Sequence, residues 1–293
     1  LQNSADPFVW FGNPGLGFLD NVNRQGAGML DIDDAILATT HIEPGKLSLG
    51  DADTSGAVQR LTLSNSSASA VTYTVSHRPA LSNGKNQYVP SFFDIFADVA
   101  FSATEVTVPG NGSATVDVTV TQPAGLQTHG IYGGYVVFTP VGGGQSYGVP
   151  YAGMEGDYKG VTLFSAAGLP RLVNAAGVAA VPGQSFTMAG NDLPTIDIHF
   201  DYPVRRFLVT VKDAVSGQSF HRAFNEEYVA RNSSTGGFFR YVWDGVSTNG
   251  KQTSAVPNGS YVLEVTALKA NGLANNPAHN ETWTSMAFTI ARP

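Results

Sequence analysis

The sequence predicts an all-β protein with two sandwich-like domains, and three observations predict this fold class. Charged residues make up only 13% of the 293-residue chain, about half of the ~25% found in ordinary soluble proteins. Glycine and proline are frequent instead, with 33 and 16 copies, and both favour turns over helix surfaces. Apolar and polar residues alternate in short stretches from about residue 42 onward, which is typical of half-buried strands. The length itself is typical of about two domains.

Residues 1–38 differ from the rest of the chain because they include a stretch that predicts a short helix. Residues 26–37 read as a short extended stretch that leads into one or two helical turns. Met29, Ile32, Ile36 and Leu37 would form one apolar stripe. A helix this short is unstable without support, so we expect the stripe to need a partner surface.

The first predicted sandwich covers residues 41–160. Apolar and polar residues alternate at 71–75 and again at 114–120. Residues 131–139 and 146–151 flank a triple glycine and predict a hairpin. Turn sequences rich in glycine and proline separate the strands at 109–112, 123–125 and 142–144. Short strands at regular spacing favour a β-sandwich.

The second predicted sandwich covers residues 161–293. Residues 196–200 and 207–211 alternate, and residues 260–268 and 283–290 read as two late strands. Five aromatic residues lie close together in sequence: Tyr228, Phe238, Phe239, Tyr241 and Trp243. We expect core packing for them, because alternation turns about half of a strand's side chains inward. An exposed platform on which sugars stack is the alternative.

Charge and composition exclude several classes of function. The formal net charge is −7 with scattered basic residues, whereas a nucleic-acid partner requires a cationic surface. No stretch approaches the ~20 apolar residues of a membrane span, and no signal peptide opens the chain at Leu1. Cysteine is absent, which rules out disulfides and thiolate chemistry. We expect no cofactor and no metal.

Five N-x-S/T sequons are candidate N-glycosylation sites and suit an extracellular glycoprotein. The sequons begin at Asn65, Asn111, Asn232, Asn258 and Asn280.

Three short motifs resemble functional sites, and each has a simpler interpretation. Thr284-Ser285-Met286-Ala287 resembles a serine nucleophile motif, but a strand rather than a helix follows it. Residues 51–56 resemble the start of a calcium loop, but Thr62 stands where a bidentate carboxylate is needed. The six histidines have no metal spacing, and we expect His199 to face solvent from a strand.

Three groups of motifs resemble secreted subtilisin-type serine peptidases, especially fungal ones. L-Q-N-S-A at residues 1–5 and R-Q-G-A-G-M-L-D at 24–31 resemble the end of the catalytic domain, after its nucleophilic serine. Residues 132–138 and V-P-Y-A-G-M-E-G-D-Y at 149–158 resemble the fibronectin-III-like domain of large extracellular subtilases. W-D-G at 243–245 and V-P-N-G-S-Y at 256–261 are similar to the C-terminal β domain of such enzymes.

The resemblance implies that residues 1–40 are the tail of a catalytic domain. In subtilisins the triad runs Asp, His, Ser along the chain, so all three residues would precede Leu1. We therefore expect no catalytic residue in this chain and a non-catalytic, supporting role. The expected partner is the missing catalytic domain of the same precursor, either as a lost neighbour or as a bound subunit. The alternative is a stand-alone extracellular module that binds glycans or a cell surface.

Overall fold

The computed structural model describes residues 1–86 and 88–293, and the chain divides into two compact units, Leu1–Asp157 and Tyr158–Pro293. Both units consist mainly of β-strands packed around buried clusters, which confirms the predicted all-β sandwich fold. Apart from four short 3-10 turns, the helices of the described residues are α1 (Val22–Gln25) and α2 (Ile32–Leu37). None of the described helices has the length and apolar character to span a bilayer.

The described residues of the first unit form ten strands in two sheets. In chain order they are β1 (Thr40–Glu43), β2 (Leu47–Ser48), β3 (Val58–Asn65), β4 (Val71–Asn83), β5 (Phe92–Phe93), β6 (Asp98–Phe101), β7 (Glu105–Val108), β8 (Ser113–Thr121), β9 (Ile131–Pro140) and β10 (Tyr147–Met154). One sheet has the order β1-β3-β8-β6, and the other has the order β2-β10-β9-β4-β5 with β7 also paired to β4. Neighbouring strands are antiparallel, except that β2 runs parallel to β10.

The core of the first unit joins the inner faces of both sheets. Leu61 and Val118 from one sheet share a buried cluster with Val75 and Phe138 from the other. The alternation predicted at 114–120 is confirmed, since the valines at 116, 118 and 120 are buried. The predicted hairpin is also confirmed: β9 and β10 pair antiparallel, with Tyr147 opposite Phe138.

The second unit contains eleven strands, again in two sheets. They are β11 (Arg171–Asn174), β12 (Ser185–Phe186), β13 (Pro194–Ile198), β14 (Val204–Asp213), β15 (Ser219–Val229), β16 (Phe239–Val242), β17 (Val246–Asn249), β18 (Gln252–Ala255), β19 (Gly259–Lys269), β20 (Asn280–Thr284) and β21 (Phe288–Ile290). The smaller sheet has the order β11-β13-β16, and the larger has β12-β21-β19-β14-β15-β17-β18 with β20 paired to β19. The buried face of β13 packs with β14, β19 and β21 in one cluster.

Strand β13 was predicted to have one buried face and one solvent-exposed face, but all five of its residues are buried. Ile196 and Ile198 join the core cluster, and alternation turns Thr195 and Asp197 the other way. His199, just beyond the strand, is 1% exposed, so the expected solvent-facing position is wrong. Its ring nitrogens lie 2.6 Å from the Gly237 carbonyl oxygen and 3.1 Å from Asp201 Oδ1. A buried histidine of this kind requires such polar partners.

The predicted strand 283–290 is two strands separated by a bulge. Glu264 of β19 pairs with Thr284, and Tyr261 pairs with Phe288, so one extra residue lies on the β20–β21 side. Ser285 fills the gap: its Oγ accepts a hydrogen bond from Leu263 N at 2.9 Å and donates one to Met286 O at 2.9 Å. The serine side chain thus replaces a missing backbone partner.

Candidate functional site

The N-terminal segment, residues 1–38, is held on the sheet of the first unit by two buried side chains. Leu19 and Val22 form a cluster with Ala80 of β4 and Tyr135 of β9. The backbone continues the contact, since Leu81 N donates to Leu19 O at 3.0 Å. The segment is therefore packed on the fibronectin-like sheet along one side.

Buried polar contacts fix the same side of the segment. Asn21 is fully buried; its Nδ2 donates to Leu81 O at 2.7 Å, and its Oδ1 accepts from Asn23 N at the start of α1. Tyr135 Oη donates to Gly26 O at 2.8 Å. Burial raises the pKa of Tyr135 well above its ordinary value, so this hydroxyl stays protonated and remains a donor.

Glycines allow the close approach of the segment to the sheet. A Cβ on Gly133 of β9 would lie 3.0 Å from Val22 Cβ and 2.8 Å from Tyr151 O. Gly28, in the Q-G-A-G motif, has a φ of +117°, and a Cβ there would lie 2.3 Å from the Asp6 carbonyl. Asp6 and Met29 exchange two backbone hydrogen bonds of 2.9 Å beside it. The motif thus folds the segment back on itself.

The same segment exposes many apolar side chains. Phe11 is 89% exposed and Ile36 is 75% exposed. No residue of α2 is buried, so the helix and its predicted stripe are present, and the stripe lies open. Of the 21 exposed large apolar residues among the described residues, ten lie in this segment: Leu1, Phe8, Val9, Phe11, Leu16, Met29, Leu30, Ile32, Ile36 and Leu37.

We call these ten residues, which include the four of the predicted stripe, the apolar stripe. So many exposed apolar residues within one short segment favour an interaction surface, whereas single ones are ordinary. The apolar stripe is therefore the candidate functional site of the first unit.

A cleft of about 690 Å³ lies between the N-terminal segment and the first sheet. Leu1 and Ala35 line it on one side, and His41, Asn65 and Asn111 line it on the other. Its lining is mainly small and polar. Nothing in this lining resembles a nucleophile held by a base.

The serine nucleophile motif has no catalytic geometry. Ser285 is buried, and the two hydrogen bonds of its Oγ go to backbone groups of Leu263 and Met286. No helix follows it, since the chain continues into β21. Ser285 therefore has a structural role, since its hydroxyl stabilises the bulge between β20 and β21.

The resemblance to a calcium loop reflects a capped turn. Asp51 Oδ1 accepts from Asp53 N at the start of a 3-10 turn, Ala52–Thr54. Thr62 lies within β3, as expected. Within residues 1–86 and 88–293, no group of three or more His, Asp or Glu side chains is placed to hold a metal ion.

The aromatic cluster of the second unit mostly packs inward. Trp243 is 1% exposed and donates from Nε1 to Val246 O at 2.7 Å. Phe239 and Tyr241 are half-buried against the core. Tyr228 and Phe238 are exposed. Core packing therefore holds for three of the five.

The five sequons lie in different environments. Asn65 and Asn232 are buried, and Asn280 is half-buried. Asn111 and Asn258 are exposed. The five sequons cannot be told apart in the sequence, but in the fold their asparagines differ in exposure to solvent.

Sequence inspection missed a polar row across the smaller sheet of the second unit. Asp197 of β13 is fully buried between Arg171 of β11 and Arg240 of β16. The nearest N–O distances are 3.1 Å and 2.7 Å. Hydrogen bonding to Asp197 raises the pKa of Arg240 above its ordinary value. The available signal was an aspartate inside an apolar strand, which calls for charged partners.

Comparisons with known proteins agree with this architecture in the first unit. The model of the family described as "Fn3-like domain" matches residues 47–152. This part of the chain is therefore a fibronectin-III-like domain, as the sequence predicted, and it contains the sheet on which the N-terminal segment packs. A search of curated proteins found no match.

Solved structures with some similarity include bacterial and human proteins. The CupB2 chaperone of Pseudomonas aeruginosa is 12% identical with a TM-score of 0.28, over 84% of this chain and 100% of that one. The class 5 fimbriae chaperone CfaA is 8% identical with a TM-score of 0.33, over 84% and 98%. A PapD-like domain of human CEP192 is 13% identical with a TM-score of 0.31, over 40% and 84%. Similarity at this level says nothing about what this chain binds.

Proposed function

We propose that this chain is the non-catalytic C-terminal region of a secreted subtilisin-like serine peptidase, and that its apolar stripe is the surface on which the catalytic domain docks. The sandwiches would then support the catalytic domain or shape access to it. The parent protein would be an endopeptidase, and this chain would be inactive alone.

The observation that carries the proposal is that the N-terminal segment is anchored and yet exposes many apolar side chains. Leu19 and Val22 hold the segment to the sheet of the first unit, while the ten residues of the apolar stripe remain exposed. Full burial of one large apolar side chain contributes about 1.5–3 kcal/mol. A partner that covers several of the ten would therefore gain substantial binding energy.

The sequence resemblance names that partner. The motifs of residues 1–5 and 24–31 are similar to the end of a subtilisin-type catalytic domain. The segment therefore suits a catalytic domain of the same polypeptide better than an unrelated protein. The family match to an Fn3-like domain directly after the segment is consistent with this order.

The polypeptide that precedes Leu1 provides the direct test. Transcript sequencing or mass spectrometry of the source protein should reveal a G-T-S-M-A-type nucleophile with aspartate and histidine partners upstream. A fluorophosphonate probe should label that upstream region and leave residues 1–293 unlabelled. An upstream region without these motifs, or labelling of this chain, would overturn the proposal.

A variant pair tests the docking surface in the complete polypeptide. Ile36→Asp places a charge in the apolar stripe, and Val215→Asp places one at a residue that is 92% exposed in the second unit. Both positions are open, so neither change should destabilise residues 1–293 alone. Ile36→Asp should reduce the yield of probe-reactive peptidase several-fold, whereas Val215→Asp should not. Equal yields would contradict docking through the stripe.

The second candidate function is independent binding of glycans or a cell surface. Tyr228 is 76% exposed, and Phe238 is exposed with the Arg240 guanidinium 5.4 Å from its ring centroid. Aromatic faces of this kind can stack on sugars. A glycan array should detect binding that Tyr228→Ala and Phe238→Ala abolish. Absence of binding at high protein concentration would reject this candidate.

A further inference from the structure

We infer that Asn111 is the N-glycan acceptor of this protein and that the other four sequons remain unmodified in the folded chain. The inference rests on the extracellular destination contained in the proposed function. The ligand class is an oligosaccharide with N-acetylglucosamine at its reducing end. The five side-chain amides differ in exposure and in hydrogen bonding.

The chemistry of the transfer sets the requirement. The Nδ2 nitrogen of asparagine bonds to C1 of a lipid-diphosphate-linked oligosaccharide and gives up one proton. The bond from C1 to the diphosphate oxygen breaks, and the lipid diphosphate leaves with its electron pair. One of the two amide hydrogens is thus replaced by a bulky sugar that must reach solvent.

Asn65 and Asn232 cannot meet this requirement in the folded protein. Asn65 is 3% exposed, and its Nδ2 lies 2.8 Å from Ser69 O and 3.2 Å from Pro109 O. Asn232 is 5% exposed, and its Oδ1 accepts from Phe200 N at 2.8 Å. A sugar on Asn65 Nδ2 would displace these contacts of the nitrogen. At both positions the buried side chain would have to leave its place in the fold to carry a sugar into solvent.

Asn280 is half-buried with both amide hydrogens engaged. Its Nδ2 lies 2.9 Å from Asn276 O and 3.4 Å from Ala274 O. A sugar would displace one of these bonds at the start of β20. The folded chain therefore favours the unmodified side chain.

Asn258 is exposed, but its side-chain amide both donates a hydrogen bond to the Arg292 backbone and accepts one from it. Nδ2 donates to Arg292 O at 3.0 Å, and Oδ1 accepts from Arg292 N at 3.0 Å. Such a ring uses the amide hydrogen that is cis to Oδ1. In a planar trans amide the substituent takes that same position. Glycosylation would therefore replace the hydrogen that holds Arg292.

Asn111 has none of these constraints. It is exposed at the tip of the turn between β7 and β8, with a φ of +51°. The turn is held by its backbone, since Asn111 N donates to Ser67 O at 2.8 Å. The side chain has no hydrogen-bond partner among the described residues, so a sugar would displace no native contact.

Asn111 and Asn258 form a matched pair for the test, because both sequons are Asn-Gly-Ser in exposed turns. The full 293-residue chain should be secreted from yeast behind a foreign leader, and its glycans released by a peptide amidase in heavy-oxygen water. Mass spectrometry should find labelled aspartate at position 111 and unlabelled asparagine at the other four sequons.

Variants make the result independent of folding effects. Asn111→Gln, and separately Ser113→Ala, should abolish the amidase-sensitive mobility shift, while Asn258→Gln should leave it unchanged. Sugar at Asn65, Asn232, Asn258 or Asn280 in folded protein, or a bare Asn111, would overturn the inference. Secretion here depends on the foreign leader, so these results are independent of whether a peptidase lies upstream of Leu1.

Discussion

At the residue scale, a glycine decides how closely the N-terminal segment approaches its sheet. Gly133 lies under Val22 and beside the Tyr151 backbone. The sequence predicted the strand around Gly133 from its apolar pattern. The need for glycine there could not be predicted, because Val22 is distant in sequence and its position depends on the whole fold.

Gly133→Ala should destabilise the first unit by about 1–3 kcal/mol, because the added methyl group overpacks a closed contact. Gly148→Ala in the neighbouring strand β10 is the matched control, since a Cβ there meets nothing within 4 Å. We expect Gly148→Ala to be neutral or slightly stabilising. Urea unfolding of the two variants measures the difference, and equal midpoints would contradict the packing described.

His77 should make the stability of the first unit depend on pH. Burial lowers the pKa of His77, and the Asp98 carboxylate raises it to a smaller degree. Because the unfolded chain then binds a proton more readily than the folded one, stability is full above about pH 6.5 and falls as the pH drops below it. His77 Nε2 lies at hydrogen-bond distance, 2.7 Å, from Tyr151 Oη, and burial keeps that hydroxyl protonated by raising the pKa of Tyr151.

The measurement is the urea midpoint between pH 8 and pH 5. His77→Gln should flatten the decline, and His41→Gln, at an exposed position in β1, should retain it. A decline of equal size in all three proteins would assign the pH dependence to other groups.

At the element scale, the bulge between β20 and β21 depends on one hydroxyl. Residues 283–290 were predicted as a single strand, and the pairing with β19 reveals the extra residue. The bulge shifts the alternation by one residue, so that Ser285 and Phe288, three apart, are both buried. A stretch of eight residues is too short for this shift to be recognised from periodicity.

Ser285→Ala should cost about 1–3 kcal/mol, because the buried Leu263 N–H loses its acceptor. Thr284→Ala, one residue earlier and exposed, should change stability by less than about 0.5 kcal/mol. Thermal unfolding compares the two. A harmless Ser285→Ala would mean that the Leu263 amide has another acceptor.

At the scale of the whole molecule, strand periodicity and turn residues were sufficient to predict an all-β chain of sandwiches. The fibronectin-III-like part was predicted from the resemblance of the motifs at 132–138 and 149–158. The helix α2 was also predicted, since a helical period is visible even in six residues. Of the apolar stripe, the prediction covered Met29, Ile32, Ile36 and Leu37. The Arg171–Asp197–Arg240 row was not predicted, because its members come from three separate strands. Long-range pairing of polar residues has no local pattern.

Each unit should fold when produced separately, because each has its own buried core. Fragments Leu1–Asp157 and Tyr158–Pro293 should show near-ultraviolet circular dichroism and cooperative thermal unfolding. Trp243→Phe should lower the transition of the second fragment, since it removes a buried ring and the bond to Val246 O. A non-cooperative second fragment would refute this prediction.

The buried carboxylate of Asp197 also disfavours pairing of β13 in the wrong register. If β13 slipped by one residue against its neighbours, every side chain of the strand would change faces. Asp197 would then enter the apolar interior without its arginines, and such an isolated ion is far too costly to persist. The buried charge therefore raises the free energy of off-register pairing much more than an aliphatic residue at position 197 could.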